Sequence, residues 1–251
     1  MVFMAIPEAV RALERDLRGI FGSRLQSLVI YGPRGAHAEP DAHGSHGAHG
    51  HEAAPTRTLA VVESMTLDDL RASARQVEGW HDAGLATPLV IAAHEFERSL
   101  DAFPLEFGAI LADHLVVSGE NPFASLAVDP ADVRRACEMQ ARSHLLHLRE
   151  GFLETRGRGD ALSMLIVQSA PAFAALITSL ARLDGRATVD AAAAARHLER
   201  IVGLPDGPIG EVVTLAHAHD MSSADAERLF APYLEAVEKL VSYVDGWGNA
   251  R

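Results

Sequence analysis

Cysteine is almost absent from this chain. Cys137 stands alone among 251 residues, which excludes an internal disulfide framework and makes a reducing cytoplasm the simplest home. Lysine is as scarce. Lys239 is the single one, so arginine carries nearly all of the positive charge. Lys and Arg number 22 against 34 Asp and Glu, for a formal net charge of −12. A surface this short of cations argues against general nucleic-acid binding, because phosphate contacts draw on Lys and Arg. Also missing is a basic stretch ahead of an apolar one at the N-terminus, where Met-Val-Phe-Met-Ala-Ile-Pro carries no charge, so no secretory signal is expected. No membrane span is expected either. The most apolar run, Ala161 to Leu183, is interrupted by Gln168, Pro171 and several Ser and Thr, and reads as a buried bundle helix.

Hydrophobic residues make up 48% of the chain, enough for a substantial core in one large domain or two small ones. The first half alternates helix and strand signals. Ile6, Val10, Leu13, Leu17 and Phe21 fall near a 3.6-residue period, so a helix is expected over Pro7 to Phe21. Leu25 to Tyr31 is a β-branched and aromatic run that stops at Gly32, the pattern of a strand. Glycine at a strand end lets backbone N–H groups approach a phosphate. Gly32 to Pro55 is a low-complexity loop of Gly, Ala, His and Pro, and at about 20 residues it is long for a compact domain. Strands are expected at Thr58 to Glu63 and Pro88 to Ala92, with weaker ones at Leu105 to Ile110 and Leu115 to Val117. Helices are expected from Thr66 through Glu78, with Asp68 and Asp69 in the first turn, and over His94 to Leu100.

The pattern changes at Asp129. Asp129-Pro130 reads as an N-cap followed by proline at the first helical position. The helix it opens is expected to reach Glu154 and to bury Val133, Cys137, Leu145, Leu148 and Phe152. Further helices are expected over Leu162 to Leu183, kinked at Pro171, over Val189 to Val202, over Ile209 to His217, and from Ser223 to Val244. The expected organisation is an α/β domain over 1–128 and an up-and-down helical bundle over 129–251. Such bundles often pair, which makes a homodimer through the helices an expectation.

Several blocks carry a family resemblance. They are Leu28-Val-Ile-Tyr-Gly32, Phe103-Pro-Leu-Glu-Phe107, Leu115-Val-Val-Ser-Gly-Glu-Asn121, Arg134-Arg-Ala-Cys-Glu138 with Leu145-Leu-His-Leu-Arg149, and Tyr233-Leu-Glu-Ala-Val-Glu-Lys-Leu240 with Val244-Asp245. Together they resemble the nucleotidyltransferase superfamily, with its polymerase-β-like palm and C-terminal helical bundle, in an uncharacterised bacterial branch. The resemblance implies an α+β fold with a mixed sheet, and a nucleoside triphosphate held at the end of the first strand by Gly32, Arg34 and Gly35. It also implies three catalytic elements. These are a Gly-Ser turn, a pair of carboxylates at the second strand that binds divalent metal, and a third carboxylate on a neighbouring strand. Here Pro33 stands in place of the serine and offers neither hydroxyl nor N–H. Thr56-Arg57-Thr58 stands where the paired carboxylates belong. Glu106 is the candidate for the third. Glu39, Asp41, Glu52 and Glu63 are the other acids near these strands.

The expected function is therefore a catalytically degenerate nucleotidyltransferase that binds a nucleotide, a metal or a partner. One alternative is an active, Mg-dependent enzyme that moves a nucleoside monophosphate to a hydroxyl. Another is a transition-metal module. His43, His46, His49 and His51 cluster in the long loop, and imidazoles suit Zn and Ni. Arg142 and His147 also match the Arg-x4-His spacing of helical ribonuclease toxins, a spacing that recurs by chance on long helices. Cys137, on the apolar face, reads as a packed thiol.

Overall fold

The computed structural model describes residues 6–32, 55–186, 188, 190–204 and 207–247, apart from the side chains of Glu97 and His217. The chain divides into two compact units. One comprises Met1–Ala102 with Ile110–Ala127, and the other Phe103–Ala109 with Val128–Arg251.

In the first unit, strands β1 (Leu25–Tyr31), β2 (Arg57–Val62), β3 (Leu89–Ala92) and β4 (His114–Gly119) form one sheet in the order β3-β2-β1-β4. β1 runs antiparallel to β2 and to β4, whereas β2 and β3 are parallel, so the sheet is mixed. Helix α1 (Glu8–Phe21) buries Val10, Leu13, Leu17 and Phe21 at one-turn spacing. These pack with Leu25, Leu28, Ile30, Ala60, Val62, Trp80 and Leu85 into a single core. The Trp80 indole N–H donates to Asp16 at 2.9 Å, so its one polar atom is satisfied. At the end of β4, Gly119 has φ +79°, and a Cβ there would lie 1.9 Å from the Gln26 carbonyl oxygen. Only glycine allows that strand to pair with β1.

The helix expected from Thr66 to Glu78 is two helices, α2 (Leu67–Ala74) and α3 (Val77–Asp82). The Ser73 hydroxyl donates to the Asp69 carbonyl, and the Gln76 N–H turns to the Ser73 carbonyl, which ends the first helix. Thr66 and Asp69 form a reciprocal capping box at its start. The same Asp69 carboxylate receives both arms of Arg24, at 2.7 and 2.8 Å. Those bonds, and the Thr66 bonds after them, hold the Asp69 carboxyl well below the usual carboxylate range. Helix α4 (Ala93–Ala102) follows β3.

The expected strand at Leu105 to Ile110 is instead helix α5 (Pro104–Ala112). Leu105-Glu106-Phe107 alternates as a strand would, but over only three positions, which is too short to choose between strand and helix. Pro104 opens the helix, Glu106 lies in its first turn, and Phe107 and Ile110 are buried three residues apart.

In the second unit, α6 (Pro130–Thr155) begins at the expected N-cap, with the Asp129 carboxylate accepting the Ala131 N–H. It ends on Arg156 at φ 53° and Gly157 at φ 76°, and α7 (Gly159–Leu183) turns back along it. α8 (Ala191–Ile201), α9 (Pro208–Thr214) and α10 (Ser223–Gly246) complete an up-and-down bundle. α7 is long and apolar enough to cross a membrane by length and composition, with a mean hydropathy of 1.7 over its best window. It is the central helix here, packed on α6, α8, α9 and α10. It runs without interruption through Pro171, which is exposed. The core holds Cys137, Leu148, Ile166, Phe173, Ile177, Leu180, Leu198, Tyr233 and Leu240. Phe152, expected inside, is 43% exposed and stacks on Phe230. Glu199 is buried and accepts the N–H groups of Gly207, Ile209 and Gly210 at the start of α9.

Candidate functional site

The candidate site lies where β1 ends. Gly32 takes φ +78° there, a conformation that suits glycine, and its N–H donates to the Asp113 carbonyl at 3.2 Å. Tyr31, the last residue of β1, is paired with Arg57 on β2 and with His114 on β4. Cross-strand partners share a face of the sheet, so a phenol, a guanidinium and an imidazole stand side by side at this end. Arg57 is exposed, and Tyr31 and His114 are half-buried. His114 Nδ1 lies 3.1 Å from the Ile110 carbonyl oxygen and 3.2 Å from that of Leu111. Two carbonyl acceptors at one nitrogen place a proton on Nδ1. The His114 ring lies 4.6 Å from Phe123, which lies 5.3 Å from Phe96, so an aromatic row continues from the imidazole.

Acid is missing from the sheet. β1 reads LQSLVIY, β2 RTLAVV, β3 LVIA and β4 HLVVSG, and none contains Asp or Glu. Thr56 bridges to Leu85, its N–H donating to the Gly84 carbonyl and its carbonyl accepting from Ala86. Thr58 is 1% exposed, and its hydroxyl has no hydrogen-bond partner among the described residues. Glu63 lies beyond the opposite end of β2, roughly 20 Å along the strand from Arg57. Glu106 is exposed on α5 rather than on a strand, within the segment that groups with the helical unit. Arg34, Gly35, His43, His46, His49 and His51, with Pro33, Glu39, Asp41 and Glu52, lie outside the described residues. Among the described residues, no three His, Cys, Asp or Glu side chains are placed to hold a metal ion.

The other singled-out residues have structural partners. Arg142 is paired with Asp245 at 2.6 Å and Glu138 at 3.4 Å. His147 folds onto the Ser143 carbonyl of its own helix at 2.8 Å, so the two residues of the Arg-x4-His spacing form no common site. Cys137 is fully buried, and burial pushes its thiol up to about 12. His144 is buried, its Nε2 2.5 Å from the Tyr233 hydroxyl, and burial followed by the nearby His147 pushes it down to about 4. Sequence reasoning did not single out Arg57 or His114 as a pair. Their adjacency follows from the register of β1 with both neighbours, which spacing along the chain does not disclose.

No protein-family model matches the sequence, and no curated protein does. Among solved structures, the chain is similar to the spectinomycin adenyltransferase AAD(9) from Enterococcus faecialis, crystallised with ATP and spectinomycin. The TM-score is 0.55 at 11% identity, over 95% of this chain and 98% of that one. The likeness is one of fold, and it spans both the mixed sheet and the helical bundle. The chain has a nucleotidyltransferase-like fold.

Proposed function

We propose that this protein binds a nucleoside triphosphate at the end of β1 and does not transfer the nucleotide. The observation that carries the proposal is the acid-free sheet in a nucleotidyltransferase-like fold. Phosphoryl transfer depends on charge neutralisation at the phosphates, and two divalent ions need carboxylates to hold them. The two threonines at the second strand cannot replace those carboxylates, because a neutral hydroxyl does not offset the charge of divalent ions, and Thr58 is in addition buried. Meanwhile the same end of the sheet presents Arg57, and a guanidinium binds phosphate oxygens in a bidentate fork. Half-buried Tyr31 and His114 supply flat rings beside it, and the buried Phe123 backs the imidazole. Support for a nucleotide as the ligand is the ATP in the Enterococcus structure.

The test is calorimetric titration with ATP and GTP, once with Mg²⁺ and once with EDTA, beside an assay for pyrophosphate release. Saturable binding that survives EDTA, weakens about ten-fold in Arg57→Ala and releases no pyrophosphate is expected; ten-fold corresponds to about 1.4 kcal/mol. Pyrophosphate release with Mg²⁺ or Mn²⁺ would overturn the silent site in favour of an active enzyme. Absence of any nucleotide binding would overturn the ligand.

A further inference from the structure

The helical unit contains a cleft of about 370 Å³ at the turn between α6 and α7, closed on its far side by the first turns of α10. That volume falls in the range of small-molecule sites. Local sequence builds it. α6 stops on two successive left-handed residues, Arg156 and Gly157, and the first of these is not glycine. A left-handed non-glycine residue is a strained conformation that the surroundings must enforce. The Thr155 hydroxyl does so, donating to the Phe152 carbonyl at 2.7 Å and accepting from the Gly157 N–H at 3.3 Å. The chain reverses within a few residues, and Phe152 on α6 and Leu162 on α7 face Phe230 and Ala231 on α10. Gly159 sets the width. A Cβ there would lie 2.8 Å from the Ser223 Cβ and 3.1 Å from a Glu227 carboxylate oxygen.

The lining combines two kinds of group. Phe152 and Phe230 stack at 4.5 Å with ring planes 11° apart, and Phe152 keeps 43% of its surface in solvent. A half-exposed phenyl in a stacked pair is an apolar surface with room for one more partner. At the rim stand Arg158 and Glu227. Unlike Arg142, Arg149 and Arg228, which are ion-paired, Arg158 has no ion pair among the described residues, and neither has Glu227. Among the described residues, the cleft thus offers an apolar floor, the Arg158 guanidinium and the Glu227 carboxylate, with no ion pair between the two. The first turn of α7 beside Arg158 has no side-chain cap and carries Asp160, whose carboxylate offsets the helix dipole there, so Arg158 itself is the anion-binding group.

We infer that this cleft binds a small zwitterion with an apolar body, its carboxylate at Arg158, its ammonium at Glu227 and its side chain against Phe152. The chemistry is that of a free aromatic or aliphatic amino acid. The site is independent of the nucleotide reading and stands or falls separately.

The experiment uses the full chain and three probes that share one ring, L-phenylalanine, phenylacetate and phenethylamine, titrated by ligand-observed NMR. L-Phenylalanine is expected to bind saturably and about ten-fold more tightly than either single-charge probe. Glu227→Gln is expected to remove its advantage over phenylacetate, and Arg158→Gln its advantage over phenethylamine. Both side chains are exposed, so these variants leave the bundle intact, which a thermal melt verifies. Gly159→Ala, which narrows the cleft, is expected to weaken all three probes together. Equal affinity for the three probes, no saturation by L-phenylalanine, or binding unchanged in both charge variants overturns the inference.

Discussion

His144 makes the helical bundle sensitive to acid in a way that can be worked out and checked. Its ring is 8% exposed, stacks on Phe173 at 5.2 Å and shares a short hydrogen bond with Tyr233, whose hydroxyl also lies 3.1 Å from Ser169. A proton on this imidazole would place a charge among apolar side chains, and burial accordingly pushes it from 6.5 down to about 4. The unfolded chain binds that proton near pH 6.5, so between 6.5 and 4 the unfolded state holds more protons than the folded one. Stability therefore falls as pH falls through this window. At pH 4.5 the loss relative to pH 8 is roughly 2.5 kcal/mol by linkage, a sizeable share of a typical domain's stability. The perturbation is His144→Phe, which keeps the stack on Phe173 and leaves Tyr233 its bond to Ser169. In a Trp80→Phe background, Trp247, packed against the bundle core, is the remaining tryptophan and reports unfolding of that unit. Urea melts at pH 8 and at pH 4.5 give the difference. The variant is expected to lose less stability on acidification than the parent, by roughly 2.5 kcal/mol. Parallel pH dependence in the two proteins would refute the argument.

Four further outcomes follow from the same kind of reasoning. Thr58→Val should stabilise the sheet unit by about 1 kcal/mol in denaturant melts, because the buried hydroxyl it removes has no partner among the described residues; Thr58→Asp, which buries an unpaired carboxylate, should destabilise it. Asp69, held low chiefly by Arg24, contributes stability that is present above about pH 4 and lost as pH falls below it; acid melts of Asp69→Asn should lack that component. Cys137 should resist a thiol reagent at pH 8 in the folded protein and react fully in denaturant. The alternative transition-metal reading is tested by titrating metal-free protein with Zn²⁺ and Ni²⁺: on that reading His43, His46, His49 and His51 hold the ion and alanine at all four abolishes binding, and unchanged binding in that variant refutes it.

Much of the architecture was legible because local chemistry and tertiary structure agree. β1 is bounded by the residues that the sequence suggests, Leu25 and Tyr31, since an apolar run ends at a glycine that takes positive φ. α6 starts at its Asp-Pro signal. α5 departs from the expected strand because the alternation of Leu105-Glu106-Phe107 covers only three positions, whereas Phe107 and Ile110 are buried at helical spacing. The candidate site was half legible. Gly32 and the threonines in place of acids can be read along the chain, whereas the Arg57–Tyr31–His114 juxtaposition depends on a register that includes irregularities between Leu25 and Ser27 and between Leu28 and Val29. The contact of His144 with Tyr233, 89 residues away, has no local signature at all.

The central place of α7 also has a consequence during synthesis. α6 precedes it, but the last helix to cover it, α10, ends about 60 residues after α7 does. At about 5–20 residues per second, α7 leaves the ribosome roughly 3–12 s before its covering is complete. For that interval a segment hydrophobic enough to pass for a membrane span is only partly sheltered, first by α6 and then by α8 and α9 as they emerge. The α6–α7 hairpin, closed by its own tight turn, is the earliest partner the segment can have. Its formation covers one face of α7 before the rest of the bundle exists, which shortens the exposure of apolar surface that favours aggregation.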